Sequence, residues 1–313
     1  MAEPAAVPQY EPYKRIAVMG TGAVGGYFGG MLARVGLDVT FIARPATAEI
    51  IKRQGLFIDS PKFQESVRAK ASSDVADVRD AELILFCVKT LDTDSVAKAI
   101  APHVGSKTIV LSLQNGVDNA ERIRAAGLQA LPAVVYVAAS VPEPGRVKHA
   151  ERGDLAIGGE SAHAAELSRI AATFAKAGVP CAVSDNIQRD LWNKFVFNCA
   201  LNAMSAIART SYGAIGHDPM GREAMLATAR ETIAVAHAAG VALPEAELLE
   251  KLIGFSKKMG DVTSSTEQDV ARRKPTEVDS LNGYVVRRGT ELGVPTPLNH
   301  MLTALLKLIE ARF

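Results

Sequence analysis

The chain has 313 residues, enough for two domains of ordinary size and a substantial core. Apolar residues make up 48% and charged residues 22%, and 35 basic against 34 acidic side chains leave a net charge of +1. That balance excludes an overall field drawing the protein to nucleic acid or an anionic membrane. The three cysteines, Cys87, Cys181 and Cys199, lie in apolar runs without a CxxC pair or Cys/His cluster. This argues against a disulfide framework and against a metal site, and it fits a reducing compartment.

Met1 to Lys14 contain three prolines and two tyrosines but no apolar signal core, so residues 1–14 are expected to form a flexible leader. No apolar stretch approaches the roughly 20 residues of a membrane span. A soluble, cytoplasmic protein with no membrane, nucleic-acid or metal partner is expected.

From Arg15 short β-type runs alternate with helical segments. Ile16–Met19 predicts a buried strand, followed by a glycine turn and a helix to about Val35. Further strands are expected at Asp38–Ile42, Glu82–Val88, Thr108–Leu113 and Ala130–Ala139, with crossover helices near 94–103 and 117–126. Continuous apolar strands in this rhythm predict a doubly wound parallel sheet of Rossmann type. After Ser184 the β-rich runs cease. Helices are expected at 186–209, 219–239, 244–258, 264–273, 276–292 and 297–312, punctuated by glycine and proline. The fold class is therefore α/β, with a dinucleotide-binding domain over 15–185 and an all-helical domain over 186–313.

The turn after the first strand reads Gly20-Thr21-Gly22-Ala23-Val24-Gly25. In such a GxGxxG, the first glycine permits the tight turn and the second lets backbone approach a pyrophosphate. The third lets helix and strand pack closely. The helix N-terminus adds N–H donors and partial positive charge for the phosphates. The second strand ends at Ala43-Arg44, where an NAD enzyme would place an acid for the ribose hydroxyls. A guanidinium there suits a 2′-phosphate, so NADP is the expected cofactor. Lys89 and Asn115 follow the third and fourth strands, at the edge where ligands gather in open α/β sheets.

Lys194, Asn198 and Asn202 are spaced i, i+4, i+8 within the first helix of the second domain. They form a polar stripe about 80° wide on an otherwise apolar helix. A solvated face would explain the lysine, but asparagine is a poor helix-interior residue and two aligned asparagines imply partners. Reduction of a carbonyl needs a donor for the forming alkoxide, which a lysine can supply. Ser264 and Glu267 have capping-box spacing, which accounts for one serine but not for Ser265. Glu277, expected in the first turn of its helix, is favoured there by the dipole alone.

In sum of motifs the chain resembles the ketopantoate reductase (2-dehydropantoate 2-reductase) family from about Arg15 to the C-terminus. The likeness rests on Gly20–Gly26, Cys87–Thr90, Leu113–Gly116, Leu191–Asn202, Thr276–Gly283 and Gly293–Pro297, in that order. The resemblance implies NADPH-dependent reduction of ketopantoate to (R)-pantoate, a step toward pantothenate and coenzyme A, and a homodimer through the helical domain. It makes Lys194 the general acid and Glu277 the acid that helps hold substrate and lysine. Asn198, Asn202 and Ser265 fall on substrate-binding positions, Lys89 and Asn115 beside nicotinamide and substrate, and Arg44 on the 2′-phosphate. Two departures bear on the substrate: the family often has asparagine where this chain has Val262, and two apolar residues commonly follow the serine where this chain has Thr266-Glu267. Two alternatives stay open, a reductase of another branched or hydroxylated 2-oxo acid and a non-catalytic NADP-binding regulator.

Overall fold

A computed structural model describes residues 10–313 and divides the chain into two compact units, one ending at Ile187 and one spanning Gln188–Phe313. The first unit carries β1 (Arg15–Met19), α1 (Ala23–Arg34), β2 (Asp38–Ile42), α2 (Pro45–Gln54), β3 (Leu56–Ser60), β4 (Phe63–Val67) and β5 (Lys70–Ser72). It continues with β6 (Leu83–Phe86), α3 (Thr93–Ile100), β7 (Ile109–Ser112), α4 (Asn119–Ala125), β8 (Gln129–Ser140), β9 (Arg146–Ile157), α5 (Ala164–Lys176) and β10 (Cys181–Val183).

Strands β5, β2, β1, β6, β7 and β8 lie side by side and all parallel. This is the 3-2-1-4-5-6 order of a doubly wound nucleotide-binding sheet. Alternate residues of its strands enter different cores. Val18, Phe41, Leu85 and Leu111 pack with Phe28, Leu32 and Phe174 on one face, whereas Met19, Ile84, Phe86 and Val110 pack with Ile100 and Ile123 on the other. Both faces are covered, which is why these strands are apolar throughout.

The sheet extends further than the sequence predicts. The first part of β8 pairs in parallel with β7, and from Ala133 it runs antiparallel to β9. Beyond β9 come β3 and then β4, while β10 also pairs with β9, so the whole is mixed. Of these added strands, β4 and β9 escaped the sequence reading because they are largely polar. In β4 exposed Gln64 and Ser66 alternate with half-buried Phe63 and Glu65. In β9 the regular pairing is broken at Arg152 (φ 60°) and Gly153 (φ 133°).

Of the expected leader, residues 1–9 lie outside the described residues. Its end is packed: Tyr13 is buried, its N–H donates to Thr173 Oγ1 at 2.9 Å, and the Arg169 guanidinium lies 4.0 Å over its ring.

The second unit contains α6 (Ile187–Ala208, beginning at the boundary), α7 (Tyr212–His217), α8 (Pro219–Ala238), α9 (Glu245–Lys258), α10 (Ser265–Ala271), α11 (Asn282–Leu292) and α12 (Pro297–Glu310). No strand occurs among its described residues. Helix α7 is absent from the sequence-based prediction because Gly213 and Gly216 make it a poor helix former. They are needed for close packing: a Cβ would lie 2.6 Å from the Gly260 carbonyl at Gly213 and 2.2 Å from Ser256 Oγ at Gly216.

The expected helix over 276–292 is corrected. Thr276 is held by the Glu310 carboxylate through its N–H (2.7 Å) and its hydroxyl (2.6 Å), and Val278–Ser280 form only a 3-10 turn. Leu281 (φ −104°, ψ −102°) breaks the chain before α11 begins at Asn282. Glu277 is thus not in the first turn of an α-helix, and the dipole no longer explains it.

Candidate functional site

In the first unit, parallel register aligns Met19 with Ile42 and Phe86, and Phe86 with Ser112. The segments that follow these residues therefore leave one edge of the sheet together. They carry Gly20–Gly25, Arg44, Lys89 and Asn115.

The glycines do different work. Gly20 has φ 99° and donates its N–H to Ile42 O at 3.1 Å, joining the turn to β2. A Cβ at Gly25 would sit 2.0 Å from the Gly20 carbonyl oxygen and 3.0 Å from Cys87 Cβ, so only glycine lets α1 start against the sheet. Gly22, in contrast, is exposed, and a Cβ there would meet nothing within 4 Å. It is the place where a ligand's backbone approach, rather than the fold, would require glycine. Helix α1 has no side-chain cap and no acid in its first turn, so its leading N–H groups suit phosphate oxygens. Thr21, Ala23 and Val24 are half-buried around this turn. Arg44 is exposed at the start of α2, just beyond β2. These residues fit a dinucleotide.

A buried polar network below the edge ties together the segments that carry Lys89 and Asn115. Gln114 Nε2 donates to Val88 O (3.0 Å) and Thr93 Oγ1 (2.8 Å), while its Oε1 accepts from Ser112 Oγ at 3.1 Å. Thr93 donates to Asn119 Oδ1 (3.1 Å), and Asn119 Nδ2 donates to the Asn115 carbonyl at 2.7 Å. Thr90 Oγ1 reaches the same carbonyl at 3.1 Å. Two loops are thereby tied into one fixed shelf, as fully satisfied buried networks do. Sequence reasoning missed Gln114, Thr93 and Asn119; a run of polar residues at strand ends was the available signal.

In the second unit, Lys194 and Asn198 are half-buried on α6 and Asn202 is 4% exposed. Phe195, Val196, Cys199, Ala200 and Ala203 are buried on its other faces. The stripe is thus no solvated face. Asn202 is joined to the start of α10 because Ser264 Oγ donates to its carbonyl at 3.1 Å while accepting from Glu267 N at 2.9 Å. Ser264 is buried and caps the helix; Ser265 is exposed in its first turn. Glu267 turns to Arg209 (3.4 Å), so the reciprocal half of a capping box is not formed. Glu277 is half-buried, and the next residue, Val278, packs with Ala203 and Ala206 of α6. Asn282 Nδ2 donates to Cys199 O at 2.9 Å, tying the start of α11 to the same helix.

The cysteines are free thiols. Burial pushes Cys181 up to about 12 and raises Cys87 and Cys199 as well, so none is a thiolate near neutrality. His149 is structural: Nε2 faces the Arg152 carbonyl at 2.5 Å, Nδ1 faces Ser60 Oγ at 3.1 Å, and the ring stacks on Tyr27. Among the described residues no His, Cys, Asp and Glu cluster could hold a metal, and no helix is long and apolar enough to cross a membrane.

Comparison with known proteins bears on both units. Residues 16–161 match the family model Ketopantoate reductase PanE/ApbA, and residues 186–310 match Ketopantoate reductase PanE/ApbA C terminal. A 2-dehydropantoate 2-reductase of Halobacterium salinarum is 32% identical over 303 residues, spanning 95% of this chain and 99% of that protein. The crystal structure of a PanE/ApbA family ketopantoate reductase from Ralstonia eutropha JMP134 superposes with TM-score 0.90 at 45% identity, covering 95% of this chain and 99% of that one. D-mandelate dehydrogenase, solved with NADH and anilino(oxo)acetate, superposes with TM-score 0.89 at 25% identity over 95% of this chain and 99% of that one.

Proposed function

The chain belongs to the ketopantoate reductase family, and from that premise we propose that it reduces 2-dehydropantoate (ketopantoate) to (R)-pantoate with NADPH, toward pantothenate and coenzyme A. The observation that carries this reading is the Lys194–Asn198–Asn202 face of α6, on which the lysine and the first asparagine are half-buried and Asn202 is buried, beside the apolar Phe195, Val196, Cys199, Ala200 and Ala203. A bound nicotinamide cofactor would supply the hydride for reduction of the keto carbon.

The chain's own residues do the rest. Gly20 to Gly25 hold the pyrophosphate, with Thr21, Ala23 and Val24 framing the turn, and Arg44 takes the 2′-phosphate. Lys89 and Asn115, on segments tied together by the Gln114 network, sit beside nicotinamide and substrate. Lys194 is the general acid, placing a proton on the former keto oxygen as negative charge develops there. Asn198 and Asn202 bind substrate oxygens, Ser265 binds the carboxylate, and Glu277 helps hold substrate and lysine.

A steady-state panel of 2-oxo acids with NADPH is expected to give ketopantoate the highest kcat/KM. A different acid at the top would favour a second reading, the same reduction of another branched or hydroxylated 2-oxo acid. Two observations support that second reading. Val262, where the family often has an amide, is 48% exposed, and the D-mandelate dehydrogenase neighbour was solved with an oxoacetate derivative.

Arg44 decides the cofactor. Arg44→Ala is expected to narrow the preference for NADPH over NADH by ~1–3 kcal/mol, the worth of a charge-assisted contact. A cofactor ratio equal to that of the wild type would rule out the 2′-phosphate assignment.

A further inference from the structure

Asn202 is almost wholly buried, and a buried amide calls for a partner at each end, from protein, water or ligand. Its Oδ1 accepts from Tyr212 Oη at 2.8 Å. Among the described residues, nothing accepts from its Nδ2. The orientation is fixed by the phenol. With the amide turned the other way, Nδ2 would donate to Oη, and the phenol hydrogen would have no acceptor among the described residues. Burial pushes the Tyr212 phenol up, so the hydroxyl keeps its proton throughout the neutral range.

Tyr212 is itself held firmly. Its N–H donates to Val262 O at 2.9 Å, and Gly213 N donates to Gly260 O at 2.9 Å. Its ring lies 6.0 Å from that of Phe255, which packs edge-on against Phe197 of α6. The Asn202 backbone is held independently by Ser264 Oγ. Helix α7 thus holds the Asn202 side-chain amide, and the segment leading to Ser265 holds its backbone on α6.

We propose that Tyr212 is a positioning residue for substrate: its hydroxyl locks the Asn202 amide so that Nδ2 is presented as a donor to an oxygen of the 2-oxo acid. The inference rests on the substrate role read for Asn202 above. Without the hydroxyl the amide can turn and present its oxygen instead, which repels an oxygen ligand. Selectivity for an oxygen-bearing substrate at this point then depends on a residue that never touches it.

The test compares wild type, Tyr212→Phe, Asn202→Ala and the double variant, using ketopantoate. Both KM and calorimetric Kd are measured, together with NADPH KM and the thermal midpoint. Tyr212→Phe is expected to raise KM and Kd for ketopantoate roughly 3- to 10-fold, the scale of one hydrogen bond, with kcat and NADPH KM within about twofold. The double variant is expected to bind no worse than Asn202→Ala alone. Wild-type affinity in Tyr212→Phe alongside weak binding in Asn202→Ala would overturn the lock and leave the functional reading intact. Unchanged binding in both variants would overturn the lock together with the Asn202 assignment. A fall in thermal midpoint with ketopantoate and NADPH constants moving together would show a merely structural tyrosine, and would also overturn it.

Discussion

Lys194→Ala is expected to lower kcat by roughly 10²-fold or more, the scale of losing a positioned general acid. The loss should fall on kcat rather than on NADPH binding, because Lys194 belongs to α6 and the glycine loop to the first unit. Lys194→Arg keeps the positive charge but offers a group that does not release its proton in proteins, so it should remain strongly impaired. Recovery of most activity in the arginine variant would mean that charge alone, not proton transfer, is required. Near-normal kcat in Lys194→Ala would remove the lysine from the chemistry.

The second large effect concerns the glycine turn. Gly25→Ala would drive a Cβ to 2.0 Å from the Gly20 carbonyl oxygen, and Cys87 Cβ (3.0 Å) and Val18 Cγ1 (3.1 Å) block retreat. Overpacking of this kind costs about 1–3 kcal/mol, more where backbone must move. The thermal midpoint should fall and NADPH binding should weaken with it, since the strained carbonyl belongs to the turn itself. Gly22→Ala provides the contrast. Its Cβ meets no protein atom within 4 Å, and its φ of −72° suits alanine, so the fold should keep its thermal midpoint. NADPH affinity should nonetheless drop about tenfold or more if the pyrophosphate passes over Gly22, because a methyl group would then occupy its path. Unchanged affinity in a stable Gly22→Ala protein would place the phosphates elsewhere.

These two glycines show what a sequence can and cannot disclose. Strand, glycine turn and helix were legible because each role follows from spacing: φ 99° at Gly20 and the close approach at Gly25 are what the motif requires. The central strands were legible because both faces are covered and the runs are wholly apolar. The outer strands β4 and β9 were not, since they are polar and take their place from pairing rather than periodicity. Helix α7 was hidden by glycines whose purpose is contact with Gly260 and Ser256, residues more than thirty positions away. Glu277 was misplaced for the same reason, because the Glu310 carboxylate holds Thr276 and stops a helix that local propensity would allow.

In the candidate site, the residues proposed to carry the chemistry stand out in the sequence, whereas those that hold them do not. Lys194, Asn198 and Asn202 stand out as a polar stripe, but Tyr212 and Ser264 act on Asn202 through tertiary contacts without sequence spacing. Gln114 lies within a recognisable motif, yet its part in tying Val88 and Thr93 together appears only once β6 and β7 are side by side.

The central claim is tested most directly by incubating the full chain with ketopantoate and NADPH and measuring both products. The account predicts one pantoate formed for each NADPH oxidised, with turnover lost in Lys194→Ala. Stable, NADPH-binding protein that oxidises no NADPH in the presence of ketopantoate would contradict it.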